Sequence, residues 1–280
     1  MTRIAVVGSY GAGLTFGAER VPERGESVIG SLFRIDHGGK GSNQAIGAAR
    51  LGAEVSLLTA VGEDSFGESA FGLWAAEGVD ASAVLRTDRP TMTAAILVEA
   101  TGDNRIVIVP GALSALAPAH VDTFAPRIEA ADVLLVQLEI PLEAALRALD
   151  IGLAAGVKTV LNPAPAPPEP ISPVADYITP NETEASSVER AKGTLVVTLG
   201  AQGARIGAEL VPAFPARAVD TTGAGDAFCA AFAVALAEGA PDIDAVLWGC
   251  AAGAHMVEHE GVVPGLPTRA ELEQRLAVAG

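Results

Sequence analysis

Ala218-Val219-Asp220-Thr221-Thr222-Gly223-Ala224-Gly225-Asp226-Ala227-Phe228 is a glycine-bearing turn that runs directly into an apolar helix with a carboxylate at its mouth. The two glycines flanking Ala224 let the backbone turn tightly with its N–H groups outward. The first turn of the helix adds unpaired N–H donors and the positive end of a dipole. Anionic oxygens settle in such a place. A carboxylate there repels phosphate unless it has its own task, and Asp226 makes chemical sense as the group that takes a proton from an attacking hydroxyl. The plain alternative is an ordinary N-cap aspartate.

Further out, Asp36-His37-Gly38-Gly39-Lys40-Gly41-Ser42-Asn43-Gln44-Ala45 again sets glycines ahead of a helix, predicted over 42–51. Strands are predicted at 3–7, 55–60, 132–137, 159–162, 177–179 and 194–198. Helices are predicted at 42–51, 66–77, 118–124, 141–155, 226–238, 242–259 and 269–277. That alternation is the pattern of a mainly parallel sheet covered by helices. Three of the strands run straight into Gln137-Leu138-Glu139, Asn162-Pro163 and Thr179-Pro180-Asn181. Ligands of open α/β sheets gather at the carboxyl ends of strands, so these polar residues are expected on one rim. Two stretches break the alternation: a hairpin of 91–99 and 105–109 around Ala100-Thr101-Gly102-Asp103-Asn104, and an extended piece at 26–35. The proline-rich run 163–173 reads as a rigid loop between two strands of one sheet. Residues 181–192 suffice for one short helical crossover.

Half of the 280 residues are hydrophobic, which argues against disorder and supplies a core for one large α/β domain or two small ones. The net charge of −16, from 18 Lys+Arg against 34 Asp+Glu, disfavours nucleic acid or an anionic membrane as partner. It leaves a nucleotide open, because local backbone donors and magnesium meet that charge. Cys229 and Cys250 fall in apolar helical segments and read as buried free thiols. The four histidines, His37, His120, His255 and His259, lack metal-ligand spacing, which argues against zinc. The run 4–7 is too short for the core of a signal peptide, and 227–237 is about half a membrane span. A cytoplasmic location is expected.

Together the two glycine turns resemble those of the ribokinase family, the PfkB-type carbohydrate kinases. Gln137-Leu138-Glu139, Asn162-Pro163-Ala164-Pro165, Thr179-Pro180-Asn181-Glu182-Thr183-Glu184 and Thr198-Leu199-Gly200-Ala201-Gln202-Gly203 match in the same order. The resemblance spans nearly the whole chain. It implies an α/β, ribokinase-like fold: a mainly parallel central sheet flanked by helices, with a small β-sheet lid. It further implies a single domain over 1–280, with lid segments at about 11–38 and 90–110. The implied activity is transfer of the γ-phosphoryl group of ATP, with Mg2+, to a hydroxyl of a sugar or sugar-like acceptor.

The same resemblance assigns roles. Asp226 is the implied base, and the amides of Gly223, Ala224 and Gly225 are the anion hole. Gly39, Lys40, Gly41, Asn43 and Glu139 face the sugar. Asn181 and Glu184 sit near the phosphates and magnesium, while Thr198, Gly200, Gly203 and Cys250 line the nucleotide. A potassium site is implied at Asp220, Thr222, Met256, His259, Gly261 and Gly265. The lid is also an implied contact between two copies of the chain, although the apolar strand 94–98 equally suits covering its own core. Taken singly, Asn181 suits a helix cap, Glu184 a capping box and Lys40 a solvated charge.

The sequence also departs from the family. Where ribokinase-like proteins present an Asn and an Asp to sugar hydroxyls, Gly8-Ser9-Tyr10-Gly11-Ala12-Gly13-Leu14-Thr15 has Gly11 and Gly13. Glycine leaves space for a bulkier or less hydroxylated acceptor, and Tyr10 is an alternative source of contact. The segment after Asn181 is shorter than the family's usual insertion. A nucleoside kinase of the same family and a catalytically silent sugar or nucleotide sensor are the alternatives, the latter disfavoured because a sensor gains nothing from a base. A dinucleotide-binding turn at Gly8, Gly11 and Gly13 is argued against by Pro22 and Gly25, which forbid the helix it must open.

Overall fold

The strands that the apolar runs announce form one sheet in the computed structural model, which describes residues 1–188 and 191–277. In chain order the strands are β1 (Arg3–Val7), β2 (Gly11–Ala18), β3 (Leu32–Gly38), β4 (Glu54–Leu58), β5 (Ala60–Gly62), β6 (Val79–Asp80), β7 (Leu85–Thr87), β8 (Thr93–Glu99) and β9 (Asn104–Val109). They continue with β10 (Val133–Gln137), β11 (Lys158–Asn162), β12 (Val174–Ile178), β13 (Lys192–Thr198), β14 (Ala204–Ile206) and β15 (Glu209–Val211). The helices are α1 (Lys40–Arg50), α2 (Ser65–Ala76), α3 (Pro118–Glu129), α4 (Leu142–Ala155), α5 (Ala224–Ala237), α6 (Asp242–Met256), α7 (Val262–Gly265) and α8 (Arg269–Ala277).

Among the described residues the main sheet runs β15-β14-β13-β12-β11-β10-β1-β4-β6, parallel except for β14 and β15 at one edge. Successive side chains of a strand enter opposite cores. Ile4, Val6, Val133 and Leu135 pack with α1, α2, α5, α6 and α8, whereas Ala5, Val7, Leu134 and Val136 pack with α3 and α4. Burial on both faces explains why these strands read as continuous apolar runs.

Helix α5 is buried from Asp226 to Leu236 and shows no polar face, because the sheet, α1 and α6 enclose it. Small residues permit the close approach: a Cβ at Gly249 meets the Phe228 ring at 2.6 Å, and one at Gly47 meets Ala230 Cβ at 2.8 Å. The N-terminus of α5 is thereby held beside the carboxyl ends of β10, β11 and β12.

Several boundaries differ from the sequence-based expectation. Helix α5 starts two residues before the predicted 226, which puts Gly225 and Asp226 in its first turn. Helix α3 continues past 124 through Pro126. The hydrogen bond Pro126 cannot donate belongs to the carbonyl of Asp122, and both residues are exposed, so its loss leaves no buried backbone group unpaired there. Helix α6 stops at Met256 rather than 259, and the Val257 carbonyl then accepts from the Val219 and Asp220 amides at 2.7 and 3.2 Å. The predicted helical crossover after Asn181 is a 3-10 turn over Glu184–Ser187, and positions 189 and 190 of that segment lie outside the described residues.

The small second sheet has the order β3-β2-β8-β9. Its hairpin β8–β9 matches expectation closely, while the extended piece at 26–35 becomes a strand only from Leu32 to Gly38. Strand β2 was not foreseen, since Gly11, Gly13 and Gly17 give it poor β-propensity. Pairing on both sides, Gly13 with Asp36 and with Ala94, overrides that local preference. No described helix is long and apolar enough to cross a membrane.

Candidate active site

Two glycine turns meet at the carboxyl rim of the sheet. Gly39 adopts φ +92°, and a Cβ there falls 2.5 Å from Tyr10 Cα; one at Gly41 falls 2.4 Å from the Ser9 amide nitrogen. The first turn of α1 therefore lies directly against the Gly8-Ser9-Tyr10 backbone, an approach no side chain permits. Glu139, just beyond β10, fastens this junction by accepting from the Lys40 amide at 2.8 Å and from Ser9 Oγ. The second turn starts at Gly223, φ +81°, the N-cap of α5.

Asp226 stands where the turns face each other and is 5% exposed. Its Oδ2 accepts from Asn43 Nδ2 at 2.8 Å and its Oδ1 from Gln44 Nε2 at 3.0 Å. A cleft of about 190 Å³ opens beside it, lined by Lys40, Asn162, Thr179, Asn181, Glu184 and Thr198 together with Thr221, Gly223, Gly225 and Cys229. Burial pushes the Lys40 ammonium down, but Asp226, Glu139 and Glu184 around it outweigh that and hold its pKa above the ordinary lysine value. Lys40 is thus a permanent cation in a carboxylate-rich pocket, not a solvated surface charge. Burial pushes the Cys229 thiol up to about 12, so it stays protonated, with Thr179 Oγ1 at 3.3 Å.

Of the three amides expected in the anion hole, that of Ala224 is donated to Thr221 O at 3.3 Å, while Gly223 and Gly225 line the cleft. A Cβ at Gly225 meets nothing within 4 Å, so that side of the turn is open. Asn181 and Glu184 bond each other reciprocally, Asn181 N to Glu184 Oε2 at 3.0 Å and Glu184 N to Asn181 Oδ1 at 2.8 Å. The capping-box reading is therefore correct locally, and the same pair also lines the cleft. Glu184, at the Asn181 end of the cleft and apart from the amide-held Asp226, suits a hydrated magnesium that arrives on the phosphates of its nucleotide, since such an ion keeps most of its waters. Among the described residues no cluster of three His, Cys, Asp or Glu is poised for a protein-held metal.

Other expected positions fall elsewhere. Thr198 lines the cleft, but Gly200 is exposed and Gly203 is buried with φ +103°, its missing Cβ replaced by the Val211 carbonyl. These two glycines shape the β13–β14 turn. Cys250 lies away from the cleft lining, its Sγ 3.9 Å from Val211 O, with burial pushing the thiol up to about 12. The remaining group does assemble behind Gly223: Asp220 accepts from the amides of Thr222 at 2.9 Å and Gly261 at 3.3 Å, and Met256 fills the space beneath Gly223 and Gly265. Burial alone raises the Asp220 carboxyl, yet those amides and the Arg34 charge bring its pKa below the ordinary value. His259 is exposed, with Nδ1 2.9 Å from the His255 carbonyl.

The two departures in β2 are not equivalent. At Gly11 a Cβ meets Met92 Cε at 2.3 Å, so the expected vacancy is already filled by a thioether. At Gly13 the nearest atoms are Ile96 Cδ1 at 3.5 Å and Asp36 O at 3.8 Å, which leaves room for a side chain. Tyr10 does not supply a replacement contact: it is 1% exposed and its hydroxyl lies 2.8 Å from His37 Nδ1. The expected convergence on one rim is seen in Asn162 and Thr179, which line the cleft. Cys229 was missed, although its i+3 spacing from Asp226 on a helix was the available signal. Nothing in the local sequence around Gln44 reveals its bond to Asp226.

The chain matches the sequence family described as "pfkB family carbohydrate kinase" over residues 1–269. It is 40% identical to a ribokinase of Bacillus subtilis (strain 168), across 99% of this chain and 100% of that protein. It is 35% identical to a deoxyribokinase of Salmonella typhi, across 82% of this chain and 84% of that protein. The solved Arabidopsis thaliana ribokinase complexed with ribose and ATP superposes with a TM-score of 0.90 at 28% identity, covering 99% of each chain.

Proposed function

The chain belongs to the pfkB family of carbohydrate kinases and is a kinase that phosphorylates a sugar hydroxyl; from that premise we propose that Asp226 is its general base. The observation that carries this reading is a buried carboxylate at a helix N-terminus, gripped by two side-chain amides and opening onto a cleft with a permanently charged lysine. The acceptor hydroxyl loses its proton to Asp226 as its oxygen bonds to the γ-phosphorus. The bond from that phosphorus to the β–γ bridging oxygen breaks, and ADP leaves. Lys40 and the Gly223 and Gly225 amides face the charge on the transferring group. Asn181 and Glu184 are the residues that would hold the hydrated magnesium, which when bound neutralises phosphate charge. Among the described residues Asn43 Oδ1 is buried without a hydrogen-bond partner, and it is suited to accept from an acceptor hydroxyl.

The acceptor is proposed to be something other than ribose. Gly13 offers no side chain to read a hydroxyl, and Met92 presents a thioether where Gly11 stands. Each lost charge-assisted hydrogen bond is worth about 1.5–3 kcal/mol, so ribose should trail the best acceptor by about one to two decades in kcat/KM for each such contact. A panel of pentoses, deoxypentoses, hexoses and nucleosides with magnesium and ATP measures this, in the parent and in Gly13→Asp. Ribose as the best parental substrate, with no selective gain for it in Gly13→Asp, defeats the specificity reading. No turnover of any member defeats the kinase assignment.

We further propose activation by potassium at the junction of Asp220, Thr222 and the 256–265 segment. A cation there biases the amides of the adjacent turn. Replacing potassium by choline at constant ionic strength should lower kcat, and an unchanged rate removes the site. A homodimer through the lid is proposed as well. Strand β9 is an edge whose Ile106, Val107, Ile108 and Val109 are about half exposed or more, and Leu32, Phe33 and Ile35 of β3, the opposite edge of the same sheet, are exposed as well. Such edges call for cover. Sedimentation equilibrium should give twice the 28.3 kDa chain mass, and a monomer at assay concentration rejects the pairing.

A further inference from the structure

A file of buried amides runs from the sheet to Asp226. Gln137, the last residue of β10, donates from Nε2 to Gln44 Oε1 at 2.6 Å. Gln44 in α1 donates from Nε2 to Asp226 Oδ1 at 3.0 Å and to Asn162 Oδ1 at 3.3 Å. Asn162, the last residue of β11, donates from Nδ2 to the Thr179 carbonyl at 2.8 Å. Gln44 and Gln137 are fully buried, and Asn162 is 6% exposed.

The direction of every bond in this file is dictated by its ends. An ionised carboxylate and a backbone carbonyl only accept, so Gln44 must turn its NH₂ toward Asp226 and its oxygen toward β10. Gln137 must then turn its NH₂ toward Gln44. The consequence is visible at the far end: Gln137 Oε1 is left without a partner among the described residues, aimed at Gly8, where a Cβ would fall 1.9 Å from it. A buried amide oxygen left in that position is unfavourable on its own, and the opposite orientation of the file would set oxygen against oxygen at Gln44. The arrangement serves the carboxylate rather than the glutamine.

We infer that Gln44, oriented by Gln137, is a positioning residue that fixes the angle of the Asp226 carboxylate relative to the strand ends, so that one lone pair stays aimed at the acceptor hydroxyl. The inference rests on the reading of Asp226 as the base. Asn43 holds the second oxygen, so the two donors together stop rotation of the carboxylate about its last bond. Misplacing a reacting group by about 1 Å is enough to slow chemistry about a hundredfold.

The test is a kinetic cycle on the full chain, with the best acceptor of the panel. Gln44→Met keeps the volume and removes both donors. It should lower kcat about ten- to hundredfold with unchanged acceptor KM and ATP dissociation constant. Gln137→Met should lower kcat by less, and the double variant should be no slower than Gln44→Met alone, because Gln137 acts only through Gln44. In an Asp226→Asn background, Gln44→Met should cost nothing further. A parental kcat for Gln44→Met overturns the inference, as does an equal fractional loss with and without the Asp226 carboxylate. If Gln44→Met fails to fold by circular dichroism, Gln44→Asn, which keeps the amide but withdraws it, carries the same comparison. An Asp226→Asn enzyme at parental rate instead rejects the base itself, a result distinct from a slow Asp226→Asn beside a fast Gln44→Met, which rejects only the file.

Discussion

Asp226→Asn should lower kcat by about 10²–10⁴ while ATP still binds, since loss of a general base costs rate and not nucleotide affinity. The substitution keeps the shape of the side chain but replaces one acceptor oxygen by a donor. Both oxygens already face amide donors, Asn43 Nδ2 and Gln44 Nε2, so an amide at 226 sets NH₂ against NH₂ in a buried place. That clash adds a local structural cost to the loss of the base. Adding Gln44→Glu to Asp226→Asn returns a carboxylate to the pair and restores opposite hydrogen-bonding partners, with the charge now at position 44. Thermal stability should recover in that double variant while turnover stays low. Recovery of turnover along with stability, or a parental rate in Asp226→Asn, shows that the carboxylate at 226 is not the base.

Lys40→Met should lower kcat/KM by about 10²–10³, the scale on which a preorganised electrostatic contact to a transition state is worth most. Asp226, Glu139 and Glu184 surround the ammonium, and their charges raise its pKa against the lowering effect of burial. Without it, an incoming phosphoryl group meets three carboxylates and no compensating charge. Methionine preserves most of the buried stem, so the loss reports charge rather than packing. The Lys40 amide, which anchors α1 to Glu139 at 2.8 Å, is untouched by the substitution. A melting temperature near the parent with a deep loss of rate is the expected pair of results. Parental kcat/KM in Lys40→Met places the charge outside the reaction.

The features that were legible in the sequence are those written locally. Alternation of short apolar runs with helical periods announced a parallel sheet between helices, because burial on both faces demands continuous apolar strands. Gly39, Gly41 and Gly223 announced turns, because a positive φ or a direct backbone approach excludes other residues. Strand-end polar residues announced a rim: Asn162 and Thr179 line the cleft, and Gln137 reaches it through Gln44. The same local logic failed at β2, where glycines predict no strand and neighbouring strands on both sides impose one.

The sequence by itself thus determined the class of fold, the two turns that face each other and the acid between them. Only the tertiary structure decided what holds that acid. Asn43 lies 183 positions from Asp226 in the chain, and no spacing rule connects them. It likewise decided that Met92 fills the space at Gly11 while Gly13 stays open, that Gly203 packs against the Val211 carbonyl in the β13–β14 turn, and that Cys250 lies buried near the same carbonyl. Propensity, capping and backbone conformation act over a few residues and leave a pattern in the order of the chain. Side-chain contacts across a core depend on how helices and strands stack, and they leave none.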